Sequence, residues 1–132
     1  MTTTTRAPAA EVDVPKLGEL LAKNATSNRD RIAAQALAEE ETLLRHDGVR
    51  TALVVKQGGK MTAVWERLMG RLYTLALDDE QRAFLGLVLS MVGIGNVSIA
   101  AVEELDERRL LVIQRAILRL AGNDRIAVGT RL

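Results

Sequence analysis

Between Arg82 and Glu103 the chain runs for twenty residues without a charged side chain, through FLGLVLSMVGIGNVSIAAV. A stretch of that length must be hidden from water, in a protein core or in a bilayer, and it is long enough for either. Gly93, Gly95 and Asn96 interrupt it in the middle, Ser90 and Ser98 flank them, and no basic cluster marks one side only. These features favour a buried helix, a turn and the start of another helix. A membrane anchor formed by residues 83–102 is kept as the alternative.

What surrounds that stretch decides how it is covered. Trp65, Tyr73 and Phe84 are the only aromatic residues, while apolar residues make up 48% of the 132 positions. The core must therefore be aliphatic, which suits helix packing better than a β-sandwich. The length fits one domain that needs no disulfide or metal to hold it. Cysteine is absent, which excludes disulfides, thiol catalysis and thiolate metal sites. A net charge of +1 gives no bulk attraction to nucleic acid or anionic lipid. The first ten residues lack the apolar run of a secretory signal, so a cytoplasmic location is expected.

Along the chain, residues 1–14 read as a flexible N-terminal tail and residues 15–132 as a single helical domain. Pro15 opens a first helix carrying Leu17, Leu20 and Leu21, and Asn24 to Asn28 stops it. A second helix starts after Ser27 or Asn28 and carries Ile32, Ala36 and Leu37, with Glu39, Glu40 and Glu41 on its solvated side. Val49 to Lys56 (VRTALVVK) fits a strand or a continued helix, and Gln57-Gly58-Gly59 breaks the chain. A third helix is expected over Met61–Ala76, a fourth over Glu80–Val92 behind Asp78-Asp79, and a last one from Ser98 to about Ala121, closed by Gly122. The strand-like runs Val49–Val55 and Arg125–Val128 are candidates to pair. The expected fold is mainly α: a four- to five-helix antiparallel bundle with a disordered N-terminal tail, and room for a minor two-stranded β element. Residues 79–85 also echo residues 106–112, a likeness explained by two helices that both begin with acidic residues.

No pattern in the sequence carries catalysis. Lys56-Gln57-Gly58-Gly59-Lys60-Met61-Thr62 has the look of a phosphate-binding loop, but Val54 stands where the upstream glycine belongs and Met61 separates Lys60 from Thr62. Gly93-Ile94-Gly95 lacks the third glycine of a dinucleotide site. His46 is the single histidine, without clustered partners, and is expected to serve at the surface or as a cap. A helix-turn-helix over residues 88–107 would present Ala100, Ala101, Glu103 and Glu104 to DNA, which phosphates would repel. We expect no enzyme, no cofactor and no metal.

The charges are nonetheless segregated. Seven acids lie within residues 77–107, and six arginines within 108–132. Arg108, Arg115 and Arg119 fall along one line of a helix and are the candidate contacts for nucleic acid or an acidic partner. The competing reading is a solvated face in which Glu104 pairs with Arg108. The expected function is that of a non-enzymatic helical interaction protein, an adaptor or accessory regulator with a protein partner, self-associating as a homo-oligomer. The alternatives are a DNA-associated regulator using the C-terminal arginines and a small membrane protein anchored by residues 83–102.

Overall fold

A computed structural model describes residues 13–123 and 125–128. It shows the mainly helical architecture, with one two-stranded antiparallel sheet. The expected tail lies outside the described residues except for its last two. Of these, Val14 is no tail residue: it begins the first helix and is completely buried.

Helix α1 (Val14–Lys23) is capped by Asp13, whose carboxylate accepts from the Lys16 amide at 3.1 Å, with Pro15 in its first turn. Helix α2 (Asn28–Glu40) is capped by Ser27 in the same way. The two pack so closely that a Cβ added at Gly18 would collide with the Ala38 Cβ, so only glycine fits there. Glu41 then adopts φ 74° and ψ −43°, a conformation costly for a residue with a side chain, and turns the chain into the short α3 (Thr42–Arg45). His46 caps α4 (Asp47–Leu53), its Nδ1 accepting from the Val49 amide.

The ambiguous VRTALVVK run is both helix and strand. It is helical to Leu53, and strand β1 (Val54–Gln57) starts at the next residue. β1 pairs with β2 (Lys60–Ala63), Gln57 opposite Lys60, across a two-residue turn in which Gly58 and Gly59 both have positive φ (56° and 79°). Such a turn matches the twist of a hairpin and needs residues without a Cβ penalty. The glycine-rich loop is therefore a hairpin tip. Val49–Val55 and Arg125–Val128, expected to pair within the chain or across a dimer, do not pair within the chain: β1 takes its neighbour in sequence, and residues 125–128 form no strand.

The hairpin also removes the first turn of the expected Met61–Ala76 helix. The chain continues instead into a 3-10 turn at Trp65–Leu68, then into turns in which Gly70 (φ 73°) and Ala76 (φ 56°) are left-handed. Of the apolar positions that suggested this helix, Trp65 and Leu68 are buried and Val64, Leu72 and Leu75 partly so, while Met69 is 52% exposed, so the apolar side chains are used in part without a helix. Arg82 holds this segment, donating to the Leu72 and Leu77 carbonyls at 3.3 and 2.8 Å, with its guanidinium 4.8 Å from the Tyr73 ring centroid.

Helix α5 (Asp79–Val92) starts with a reciprocal capping box between Asp78 and Gln81. Residues 83–89 are all buried, so this helix is enclosed on every side, which accounts for its lack of charge. After the turn at Gly93, Ile94 and Val97 pack against the core, and Val97 comes so near Gly86 that a Cβ there would lie 2.6 Å from it. The expected helix from Ser98 to Ala121 is divided. A 3-10 segment spans Ile99–Glu104, and Asp106 then caps α6 (Glu107–Leu120) by accepting from the Arg109 amide at 3.0 Å. The echo between residues 79–85 and 106–112 thus marks two helix N-termini. Helix α2 is the hub, packing against α1, α5 and α6.

Candidate functional site

Helix α6 meets the rest of the protein along two charged seams and one apolar face. Val112, Ile113 and Ala116 face the core, and Arg109 shares their face. A cation among apolar residues needs a partner. That partner is Glu40, the last residue of α2, which is fully buried although sequence reasoning placed it on a solvated face. The kink at Glu41 lets the Glu40 carboxylate accept from the Leu43 amide at 2.9 Å and from the Thr42 hydroxyl. Arg109 donates to it from Nε at 2.9 Å, while its Nη2 lies 2.9 Å from the same oxygen and donates to the Thr42 hydroxyl at 3.3 Å. Arg109 also reaches Glu80 at 2.9 Å and Asp106 at 3.1 Å. Three helix termini, of α2, α5 and α6, are thereby tied at one point. Every buried side-chain polar atom among the described residues has a partner.

The three arginines singled out in the sequence share one flank of α6, and all three turn toward the C-terminal end of α2. Arg108 donates to the Glu40 carbonyl at 2.9 Å, satisfying a helix-end carbonyl with a cation. Arg119 pairs with Glu39 at 2.6 Å, and Arg115 lies 3.8 Å from the same carboxylate. Glu104 does not pair with Arg108, because the break at Leu105-Asp106 removes the helical spacing such a pair requires. All three guanidinium groups are 41–48% exposed, so these pairs contribute little individually.

The side of α6 turned away from the core is the unexpected feature. Leu110, Gln114, Ile117 and Ala121 recur at i, i+4, i+7 and i+11, with Leu111 and Leu118 beside them. Where a surface helix normally carries charge, this face carries none from Leu110 to Ala121, and Glu107, one turn before Leu111, stands at its N-terminal end. Ile117 is 43% exposed, and Leu110, Leu111 and Leu118 are half-buried. Gly122, with φ 72°, then turns the chain so that Ile126, Ala127 and Val128 line a groove with Gln114, Ile117 and Leu118. Ile126 is 58% exposed at its rim.

Neither His46, capping α4, nor the carboxylate clusters gather into a site: among the described residues, no group of three or more His, Asp or Glu side chains is placed to hold a metal ion. No helix among the described residues is long and apolar enough to cross a membrane, since the uncharged run is divided at Gly93. Set against known proteins, the chain matches no family model, no curated protein and no solved structure.

Proposed function

We propose that this chain is a non-enzymatic helical interaction protein of the cytoplasm, an adaptor or accessory regulator that self-associates through the outer face of α6. The observation that carries the reading is that face: from Leu110 to Ala121 an uncharged stripe with helix-pairing periodicity, continued by an apolar groove. Scattered exposed apolar side chains are ordinary on a monomer, but a contiguous stripe along one helix is the mark of a covered surface.

The DNA-associated reading has less support, because Arg108, Arg115 and Arg119 are already directed at Glu39 and the end of α2. It requires binding that weakens steeply with salt and is lost in Arg115→Glu/Arg119→Glu. Sedimentation of untagged protein prepared without detergent tests the leading reading. A concentration-dependent dimer or tetramer is expected, and a monomer at every concentration would remove it.

A further inference from the structure

We infer that the cleft between the α1–α2 turn and the β1–β2 hairpin binds a small primary amine with a neutral acceptor oxygen three bonds from its nitrogen, an amino alcohol or amino amide. The cleft lies apart from the outer face of α6, and the inference does not rest on self-association. Its volume is about 160 Å³, and it is lined by Asn24, Thr26 and Asp30 from the helices and by Gln57, Thr62 and Trp65 from the hairpin and the turn after it. Its walls are already tied together. Asn24 donates from its side chain to the Met61 carbonyl at 2.9 Å, joining the end of α1 to β2, and the Thr62 hydroxyl donates to the Val55 carbonyl at 3.4 Å across the hairpin. A ligand therefore has little ordering to do.

Trp65 points to a ligand. It is only 2% exposed, yet its indole N–H makes no hydrogen bond among the described residues. No side-chain polar atom there is sealed off without a partner, so this N–H must open onto the cleft that Trp65 lines. A buried tryptophan usually finds an acceptor, and here an incoming oxygen would supply it. Asp30 sets the charge. Its amide is bonded to the Ser27 hydroxyl, while its carboxylate makes no hydrogen bond or ion pair among the described residues. Its neighbours on α2 are directed elsewhere, Arg31 to the Asn28 side chain and Arg29 to Gly93, and Lys60 is exposed without lining the cleft. One carboxylate and no cation select a positively charged ligand. The three N–H donors of an ammonium have the oxygens of Asp30, Asn24 and Thr62 to meet them. A free amino acid fits less well, because its own carboxylate would face no counter-charge. A cavity of ~150 Å³ takes a molecule of benzene's size, so roughly six heavy atoms can enter.

Because Trp65 is the only tryptophan, its indole N–H gives a single resonance in the nitrogen-labelled full chain and reports the cleft directly. The probes are ethanolamine and glycinamide, titrated as hydrochlorides at neutral pH and constant ionic strength. At least one is expected to move that resonance saturably, with half-saturation on the order of 1–10 mM for so small a ligand. Acetamide, an acceptor without the charge, should leave it in place. Asp30→Asn keeps the shape and removes the charge. Since this carboxylate bonds nothing in the protein, helical content and unfolding midpoint should change little, while half-saturation rises about tenfold or more. Glycylglycinamide, with the same groups on a longer chain, should bind several-fold more weakly than glycinamide. Equal or tighter binding of it would overturn the assignment to a small free amine in favour of a peptide N-terminus. A resonance that neither amine moves, or that moves equally with acetamide or in Asp30→Asn, would overturn the site itself. A protein that is monomeric and still binds the amine leaves this inference standing while removing self-association.

Discussion

Replacing Arg109 by Met tests whether the tie between helix ends is as buried as it looks. Methionine keeps most of the stem and removes the charge. The Glu40 carboxylate, 0% exposed, would keep the Leu43 amide and the Thr42 hydroxyl and lose the Nε donor and the cation beside it. Losing the one charge-assisted hydrogen bond from Nε costs about 1.5–3 kcal/mol by itself. Stranding one member of a buried ion pair independently gives about 3–5 kcal/mol. The larger figure governs, because the carboxylate stays buried and loses its counter-charge as well as a donor, and it is a large share of the ~5–15 kcal/mol that holds a domain together. Glu40→Gln should cost less, about 1–3 kcal/mol, because Arg109 keeps Glu80 and Asp106. The double change Glu40→Leu/Arg109→Met should be more stable than Arg109→Met alone, since it removes the stranded charge. Urea unfolding, followed by fluorescence of the buried Trp65 and by helical circular dichroism, measures all of these. One protein concentration must be used, because self-association raises apparent stability. A loss below about 1 kcal/mol in Arg109→Met, or additive losses in the double variant, would show that the pair is not a coupled, buried one.

Three further outcomes come from the same unfolding measurement. Gly18→Ala should destabilise by about 1–3 kcal/mol, because its Cβ would collide with that of Ala38, and Ala38→Gly in the same chain should recover part of the loss. Glu41→Gly should be neutral or stabilising by up to about 1 kcal/mol, since glycine adopts φ 74° freely, whereas Gln35→Gly inside α2 should cost about 1 kcal/mol. Asp78→Ala, which removes one side of the α5 capping box, should cost about 1 kcal/mol.

The starts of α1, α2 and α5 were readable because each rests on a local chemical signal. Ser27 and Asp78 cap where their side chains can reach an orphan amide, and Pro15 fits a first turn. The divided elements were not readable, because propensity in VRTALVVK supports helix and strand equally and only pairing with Lys60–Ala63 decides where one stops. Over residues 61–76 the helix was wrong and the apolar positions only partly right: Trp65 and Leu68 are buried and Met69 is exposed, because the segment is folded as turns pinned to Arg82. Asp106, read as part of a continuous helix, was a cap signal overlooked. The buried pair did leave a trace: Arg109 keeps helical spacing with Val112, Ile113 and Ala116, and Glu40 with Ala36 and Leu37. The direction of the arginine flank toward Glu39 was beyond sequence, because it depends on how α6 lies across the end of α2.

Whether the outer face of α6 is an interface is decided by light scattering on a sizing column, with wild-type protein run beside Ile117→Glu. Ile117 is far enough out of the core that the change should leave helical content and unfolding midpoint nearly untouched. An interface on this face gives a wild-type mass at a multiple of the 14.4 kDa chain and a folded Ile117→Glu at the single-chain mass. Wild-type and variant running at the same mass, whether both monomeric or both associated, would contradict it.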